Sequence, residues 1–170
     1  VYLKALDIIN DINFSSEDKS LSLLKIYKEK SILNNMIFDY LFKVNPKLAW
    51  ENLDHSKTEL LLDILWRVDK KDLNFDIISK NGYLRELYTA RGDISTATTS
   101  LTFELDVLIN LDKKTNATLN FEYLCDNCKQ IYPFAFTRCT SCNAIDKLVI
   151  ELSLVKNYDI DFSMENNSFV

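Results

Sequence analysis

Glycine, proline and histidine are scarce in this chain of 170 residues, which contains two glycines, two prolines and one histidine. The scarcity of glycine and proline disfavours a turn-rich all-β fold and favours helices. Two glycines cannot build a glycine-rich phosphate-binding loop. The single histidine, His55, provides neither a histidine cluster for a metal ion nor much material for acid–base catalysis. We therefore predict a non-enzymatic protein with no catalytic residues.

The chain also lacks an excess of basic residues and long apolar runs. The formal net charge is −5 and the isoelectric point is about 4.9, so the chain lacks the basic excess that is typical of nucleic-acid-binding proteins. No apolar run reaches the roughly 18 residues of a membrane-spanning helix. The chain begins at Val1 rather than at methionine, and we expect a fragment of a longer protein whose upstream part could carry a membrane anchor.

Residues 1–114 show the apolar periodicity of amphipathic helices and form the predicted helical domain. One strongly apolar helix is expected to end before Pro46. Residues 56–59, Ser-Lys-Thr-Glu, form a capping-box pattern that predicts the start of the next helix.

Four residues near the end of this domain are spaced as in a tetratricopeptide repeat, a helical hairpin of about 34 residues. They are Tyr88, Gly92, Ala97 and Leu101. Gly92 is expected to end the first helix in a left-handed conformation, and the small Ala97 would let the second helix approach closely. The predicted fold is therefore mainly α, with divergent tetratricopeptide-like hairpins; the alternative is a non-repeating helical bundle.

The apolar period changes from helical to alternating around Thr115. Leu119, Phe121 and Tyr123 share one face of a predicted strand, and two later segments also alternate. Residues 115–156 are therefore predicted to form a small three-stranded antiparallel unit. Residues 157–170 lack clear periodicity and are assigned to a C-terminal tail.

All the cysteines lie in this β unit, as two pairs with two residues between the members of each pair. The candidate ligands are Cys125, Cys128, Cys139 and Cys142. A tight turn between paired cysteines aims both sulfurs at one point, and two such turns make a tetrahedral all-sulfur metal site. The residue after each pair needs a left-handed conformation, which Asn143 tolerates and which Lys129 adopts at some cost.

Zinc is the expected ion, because it supplies folding free energy to a β unit too small to be stable on its own core. Four thiolates also close the coordination shell, which indicates a structural rather than a catalytic site. Iron in the same cage, in a rubredoxin-like electron-transfer module, is an alternative. A redox dithiol is less well supported, since such motifs usually occur singly.

Binding of nucleic acid by the zinc ribbon is a further alternative. Residues 115–170 contain four basic and seven acidic residues, and a zinc–tetrathiolate centre adds about two negative charges. Because attraction to phosphates supplies most non-specific affinity, we expect no nucleic-acid partner.

The cysteine segment resembles the rubredoxin-like metal-binding end of the lipopolysaccharide assembly protein B family, in which tetratricopeptide repeats precede such a ribbon. The matching residues are Tyr123, Cys125, Cys128, Tyr132, Phe134, Phe136, Cys139 and Cys142. Thr140 stands where the family often has proline, and Lys129 where glycine is common.

The resemblance implies a cytoplasmic adaptor, tethered to the inner membrane by an N-terminal segment that is absent here. Its implied partners are a membrane protease and the protease substrate, a lipid A biosynthetic deacetylase, so that the adaptor would regulate lipopolysaccharide biosynthesis. The family also uses the ribbon packed against the repeats as one unit. Independently of the resemblance, a repeat array exposes its last helix unless something covers it, and we expect the ribbon to cover Leu105, Leu108 and Ile109 at the end of the helical domain.

Overall fold

The computed structural model describes residues 1–113 and 116–157 of the chain. The predicted domain boundary at residues 114 and 115 lies outside these residues, as does the predicted tail apart from Asn157. Within the described ranges, no helix combines the length and apolar character needed to cross a membrane.

Eight α-helices and two short 3-10 helices form residues 1–113, called the helical part below. The α-helices are α1 (Tyr2–Asn10), α2 (Ser16–Lys30), α3 (Asn34–Val44), α4 (Pro46–Asn52), α5 (Leu62–Arg67), α6 (Phe75–Lys80), α7 (Gly82–Arg91) and α8 (Phe103–Ile109). The 3-10 helices span Thr58–Leu61 and Lys70–Asp72.

Polar side chains begin several of these helices. Ser15 accepts a hydrogen bond from a backbone N–H in the first turn of α2, and Asn45, Asn74 and Asn81 do the same for α4, α6 and α7. Each cap satisfies one of the backbone donors left free at a helix start. As predicted, α3 ends before Pro46, which is the first residue of α4, where its fixed φ suits a helix start.

The predicted capping box at residues 56–59 does not form. The Ser56 hydroxyl donates instead to the Asp54 carboxylate at 2.6 Å, and residues Thr58–Leu61 adopt a 3-10 helix before α5 begins. A nearby carboxylate on the preceding turn therefore takes the hydroxyl that would have capped the helix.

The prediction of a helix directly after Gly92 is wrong. Gly92 ends α7 with φ of 89°, as expected, but the next helix begins only at Phe103. Ala97 is exposed, and Leu101 is fully exposed to solvent, so neither packs against α7. The tetratricopeptide-like interpretation of this hairpin therefore does not hold.

Side-chain hydrogen bonds explain the missing helix. Residues 95–100, Ser-Thr-Ala-Thr-Thr-Ser, have low helix propensity. Thr96 bonds to Thr89 at 3.0 Å, and the Ser100 hydroxyl donates to Glu86 at 2.7 Å. These bonds hold the segment against α7 in an irregular conformation and compete with helical pairing.

The three-stranded antiparallel unit is confirmed. Its strands are β1 (Ala117–Cys125), β2 (Ile131–Tyr132) and β3 (Leu148–Lys156), in the order β2-β1-β3. β3 pairs with the whole of β1, whereas β2 contributes only two residues. We call the described residues 116–157 the ribbon. The prediction of a mainly α fold with a small β unit is thus confirmed at this level.

The ribbon packs on the end of the helical part. Leu119 belongs to the same buried apolar cluster as the helices, and Phe121 and Leu152 pack against that cluster. Leu105 and Leu108 of α8 are completely buried, and α8 contacts both β1 and β3. Of the three residues expected under the ribbon, Leu105 and Leu108 are therefore buried, whereas Ile109 is half-buried, and one apolar cluster extends through both parts.

Candidate metal centre

The four cysteine sulfurs converge on one point. All four Sγ atoms lie within 4.8 Å of one another, and the Sγ atoms of Cys125 and Cys142, like those of Cys128 and Cys139, are 3.7 Å apart. A tetrahedral ion with Zn–S bonds of about 2.3 Å requires sulfurs about 3.8 Å apart, whereas a disulfide requires about 2.05 Å. The geometry fits a tetrathiolate metal ion and excludes disulfides between these pairs.

Two equivalent turns position the sulfurs. In the first, the Lys129 N–H donates to the Cys125 carbonyl at 2.8 Å, and the Cys125 N–H donates to the Gln130 carbonyl at 2.9 Å. Cys125 is the last residue of β1 and Ile131 begins β2. The first turn is therefore the hairpin connection between these strands.

The second turn repeats these hydrogen bonds. The Asn143 N–H donates to the Cys139 carbonyl at 2.9 Å, and the Cys139 N–H donates to the Ala144 carbonyl at 2.8 Å. Lys129 and Asn143 both have φ of 61°, as predicted from their places after the pairs. A Lys129–Asp126 ion pair of 2.7 Å lies across the first turn.

In each turn the first cysteine is buried more deeply than the second. Cys125 and Cys139 are buried, Cys142 is half-buried and Cys128 is exposed. An ion held here would be enclosed from the side of the sheet and would lie near the surface at Cys128.

Hydrogen bonds to sulfur favour the thiolate form that a metal requires. The Tyr132 hydroxyl lies 3.3 Å from the Cys139 sulfur, and this contact, with backbone N–H groups of the turn, lowers the pKa of Cys139 to about 6. The Ala144 N–H and the Asn127 side chain lower the pKa of Cys142. Such outer contacts orient ligands and tune a metal site.

The cluster cannot carry four negative charges without a cation. The N–H of Gln130 favours the Cys128 thiolate, but the partial loss of water around its sulfur and the three neighbouring sulfurs together outweigh it and raise the pKa of Cys128 to about 12. A divalent cation at the centre would remove this penalty, because it attracts all four sulfurs at once.

A buried polar network joins the metal centre to the helices. Tyr123, two residues before Cys125, donates its hydroxyl proton to the fully buried Asp63 carboxylate at 3.0 Å. Arg67, one turn along α5, donates to the same oxygen at 2.8 Å, and Asn35 contacts the other oxygen at 3.4 Å. Burial raises the pKa of Asp63, and the hydrogen bond from Tyr123 and the charge of Arg67 oppose the rise.

Sequence reasoning missed this network. The spacing of Asp63 and Arg67 is a common ion-pair pattern on helix surfaces, and only the tertiary structure shows that the carboxylate is buried under the ribbon. A second link is formed by Asp146, whose carboxylate accepts the Leu33 N–H at 3.1 Å.

His55 lies away from the metal centre. It is exposed, and its ring nitrogen lies 3.4 Å from the side chain of Asn81. In the described part of the chain, the four cysteines are the one cluster of histidine, cysteine and carboxylate side chains close enough to share an ion.

No protein-family model, curated protein or solved structure matches this chain. The likeness to the lipopolysaccharide assembly protein B family thus stays a hypothesis carried by the cysteine segment.

Proposed function

We propose that this chain is a non-enzymatic protein–protein adaptor in which a structural zinc ion holds the ribbon in shape against the helices. The observation that carries the proposal is the closed cage of four sulfurs at the end of β1, the central strand. β1 also supplies Tyr123 and Leu119 to the interface with the helical part. An ion that orders the cage therefore orders the interface.

The composition of the cage supports a structural role. Four thiolates satisfy tetrahedral zinc completely, whereas a catalytic zinc keeps a position open for water or substrate. The side chains against the sulfurs, Tyr132 and Asn127, are hydrogen-bond partners of the ligands. Their role is to hold the thiolates rather than to transfer protons to a substrate.

A shared core supports a binding role. Because the ribbon and the helices are packed on one apolar cluster, their outer surfaces are held in one arrangement, as a recognition surface requires. Large apolar side chains remain exposed on both parts, including Leu60 and Phe75 on the helical part and Phe134 on the ribbon. Exposed apolar side chains of this size are typical of contact surfaces when they cluster.

The identity of the metal decides between the adaptor and a rubredoxin-like electron-transfer module. Protein purified from its native host should be colourless and contain one zinc ion per chain by elemental analysis. A red protein that contains iron would replace the structural proposal with the electron-transfer one. Protein without a bound transition metal would refute both.

The resemblance extends the proposal to a partner class. It suggests a membrane protease and its substrate at the cytoplasmic face of the inner membrane, and hence regulation of lipopolysaccharide biosynthesis. The residues that carry it, Tyr123 and the cysteines, build the metal centre and the interface beneath it. They do not define a partner, so this part of the proposal rests on the resemblance alone.

The adaptor role can be tested by affinity capture from the native host. The metal-bound chain should retain a specific protein partner, and both chelation and Cys139→Ser should release it because they disorder the ribbon. A Ser153→Ala variant, altered on the outer face of β3, should retain the partner and serves as the control. Capture that is the same with and without the metal would contradict a recognition surface organised by zinc.

A further inference from the structure

Among the residues that the structure describes, one edge of the sheet has backbone hydrogen-bonding groups without a partner strand. The Asp126 N–H donates to the Lys147 carbonyl at 2.8 Å, and the Asn157 N–H donates to the Asn116 carbonyl at 3.2 Å. These two contacts lie just beyond the two ends of the β1–β3 ladder. In an antiparallel pair, hydrogen-bonded positions alternate with positions whose backbone groups point away from the partner strand.

The register therefore identifies the outward-pointing backbone groups of β3. Odd-numbered residues such as Val149 and Glu151 bond to β1. The residues whose N–H and C=O groups point away from β1 are Leu148, Ile150, Leu152 and Leu154. Within residues 1–113 and 116–157, β3 is an edge strand, and no backbone hydrogen bond joins these outward groups to another element.

A groove runs along the start of this edge, between β3 and the helical part, with a volume of about 390 Å³. We call it the edge groove. Its walls include Asn34, Glu59, Leu60, Phe136, Asp146 and Val149. Leu60 and Val149 are 56% and 40% exposed. An extended chain lying here would pair with β3 on one side and contact apolar side chains on the other.

Two polar features specify the occupant. The charged residues that line the edge groove, Glu59 and Asp146, are both acidic. The side-chain oxygen of Asn34 is buried without a hydrogen-bond partner in the described structure, which is a costly state that a donor would relieve. The groove therefore suits a segment that brings N–H donors and positive charge.

We propose that the edge groove binds an extended, lysine- or arginine-containing segment of a partner protein, which adds to β3 as a fourth strand. The proposal rests on the adaptor function and names its class of partner. Strand addition supplies affinity through main-chain hydrogen bonds and specificity through alternate side chains. Residues 158–170 of the chain itself contain three acidic and no basic residues, so their charge does not complement the groove.

The test is a binding titration of the metal-bound full-length chain with a short fluorescein-labelled peptide in which valine and lysine alternate. The peptide should bind, and its counterpart with glutamate in place of lysine should not. A third peptide, N-methylated at alternate residues, keeps the charge and side chains but loses half of its N–H donors, and it should bind at least about tenfold more weakly, or about 1.4 kcal/mol. Equal binding of the methylated peptide would overturn strand addition.

Two charge-reversal variants test whether the peptide binds in the edge groove. Glu59→Lys in the edge groove should weaken binding about tenfold. Glu51→Lys makes the same change of charge on the exposed face of α4, away from the groove, and should leave binding unchanged. Equal effects of the two variants would show that the peptide responds only to net charge and would overturn the site.

The NMR resonances of backbone amides on β3 show which segment occupies the edge groove. Added peptide should shift the amides of Ile150 and Leu152 and slow their hydrogen exchange. If removal of residues 158–170 produces changes at these amides without peptide, the chain's own segment occupies the edge and the proposal fails. If the amides shift with protein concentration as a dimer forms, the occupant is a second copy, and the proposal fails equally.

The outcomes also separate this proposal from the adaptor function. A partner retained equally by the wild type and Glu59→Lys would leave the adaptor function intact and place its surface elsewhere. Absence of both a zinc-dependent partner and peptide binding would refute the two together.

Discussion

The helical part and the ribbon are stabilised in different ways. The helical part buries a continuous apolar cluster that includes the ring series Tyr27, Phe38, Phe42, Trp50 and Tyr88. The buried hydrophobic side chains among the described ribbon residues are Leu119, Tyr123, Cys125 and Cys139. Half of that small core consists of candidate metal ligands. The comparison teaches that the helices here depend on packing, whereas the ribbon has a core too small to suffice and shares the core of the helical part; we expect it to depend on an ion as well.

The largest effect is expected from loss of the metal site, which should unfold the ribbon and leave most of the helical part folded. Cys139→Ser or removal of zinc should abolish metal binding and unfold residues 119–155, because structural zinc supplies folding free energy outright. Hydrogen exchange should accelerate throughout the ribbon and in α8, and remain slow in α2 to α5.

Ser153→Ala controls for substitution within the ribbon and should keep the metal. A Cys139→Ser protein with its metal content and melting temperature unchanged would show that the ribbon does not depend on the cage. Unchanged exchange in α8 after metal removal would show that the ribbon does not protect the end of the helical part.

A smaller effect is expected at the contact between the two regions. Tyr123→Phe removes the hydroxyl that donates to buried Asp63, and an unpaired buried acceptor costs about 1–3 kcal/mol. Denaturant unfolding of the metal-bound chain should show this loss. Because removal of the metal is expected to unfold the ribbon, the same loss should weaken zinc binding.

Tyr132→Phe is the matched substitution at the metal centre. It removes the hydroxyl beside Cys139 and should reduce metal affinity by about tenfold or more. If Tyr123→Phe left zinc affinity unchanged, the interface and the cage would be independent units, and the ion would not order the interface.

The pH dependence of stability tests the same contact between Tyr123 and Asp63. Burial raises the pKa of Asp63 above its usual value of 3.8, so the folded state binds this proton more tightly than the unfolded state. Protonated Asp63 therefore contributes stability that is fully present below pH of about 4 and is lost as the pH rises through the folded-state pKa.

The measurement compares wild type with Asp63→Asn by denaturant unfolding at fixed free zinc. The stability of the wild type relative to the variant should fall as the pH rises from about 4 to about 7. Loss of zinc at acid pH affects both proteins and cancels in the difference. A relative stability that rises over this window would mean that Tyr123 and Arg67 outweigh burial.

The smallest effect concerns the difference between the two metal-binding turns. Lys129 and Asn143 share φ of 61°, a conformation that costs lysine more than asparagine. Lys129→Gly should stabilise the ribbon by less than about 1 kcal/mol, because part of the gain is offset by the greater freedom of glycine in the unfolded chain.

Asn143→Gly is the control and should change the melting temperature of the ribbon less than Lys129→Gly does. A larger gain at Asn143 would show that the Lys129–Asp126 ion pair matters more than backbone strain in the first turn.

Local patterns in the sequence were sufficient to predict the ribbon and its cage. Alternation of apolar residues identified the inner faces of β1 and β3, and the paired cysteines identified both turns and the left-handed residues after them. These features depend on neighbours within a few positions, so short sequence windows contain them.

The same kind of pattern failed after Gly92. The spacing of Ala97 and Leu101 suited a helix, yet Thr96 and Ser100 bond to α7 and hold the segment in a non-helical conformation. The side chains that form these hydrogen bonds with the segment lie on another helix. The apolar periodicity of the segment itself therefore contains no sign of them.

By itself, the sequence determined that four thiolates would meet in a small sheet after a series of helices, because tight turns and strand alternation are local properties of the chain. The tertiary structure alone decided that Asp63 lies buried beneath Tyr123 and that β3, an edge strand among the described residues, starts beside Glu59 and Leu60. Burial and edge geometry arise when distant segments pack together, and no short stretch of sequence contains both partners.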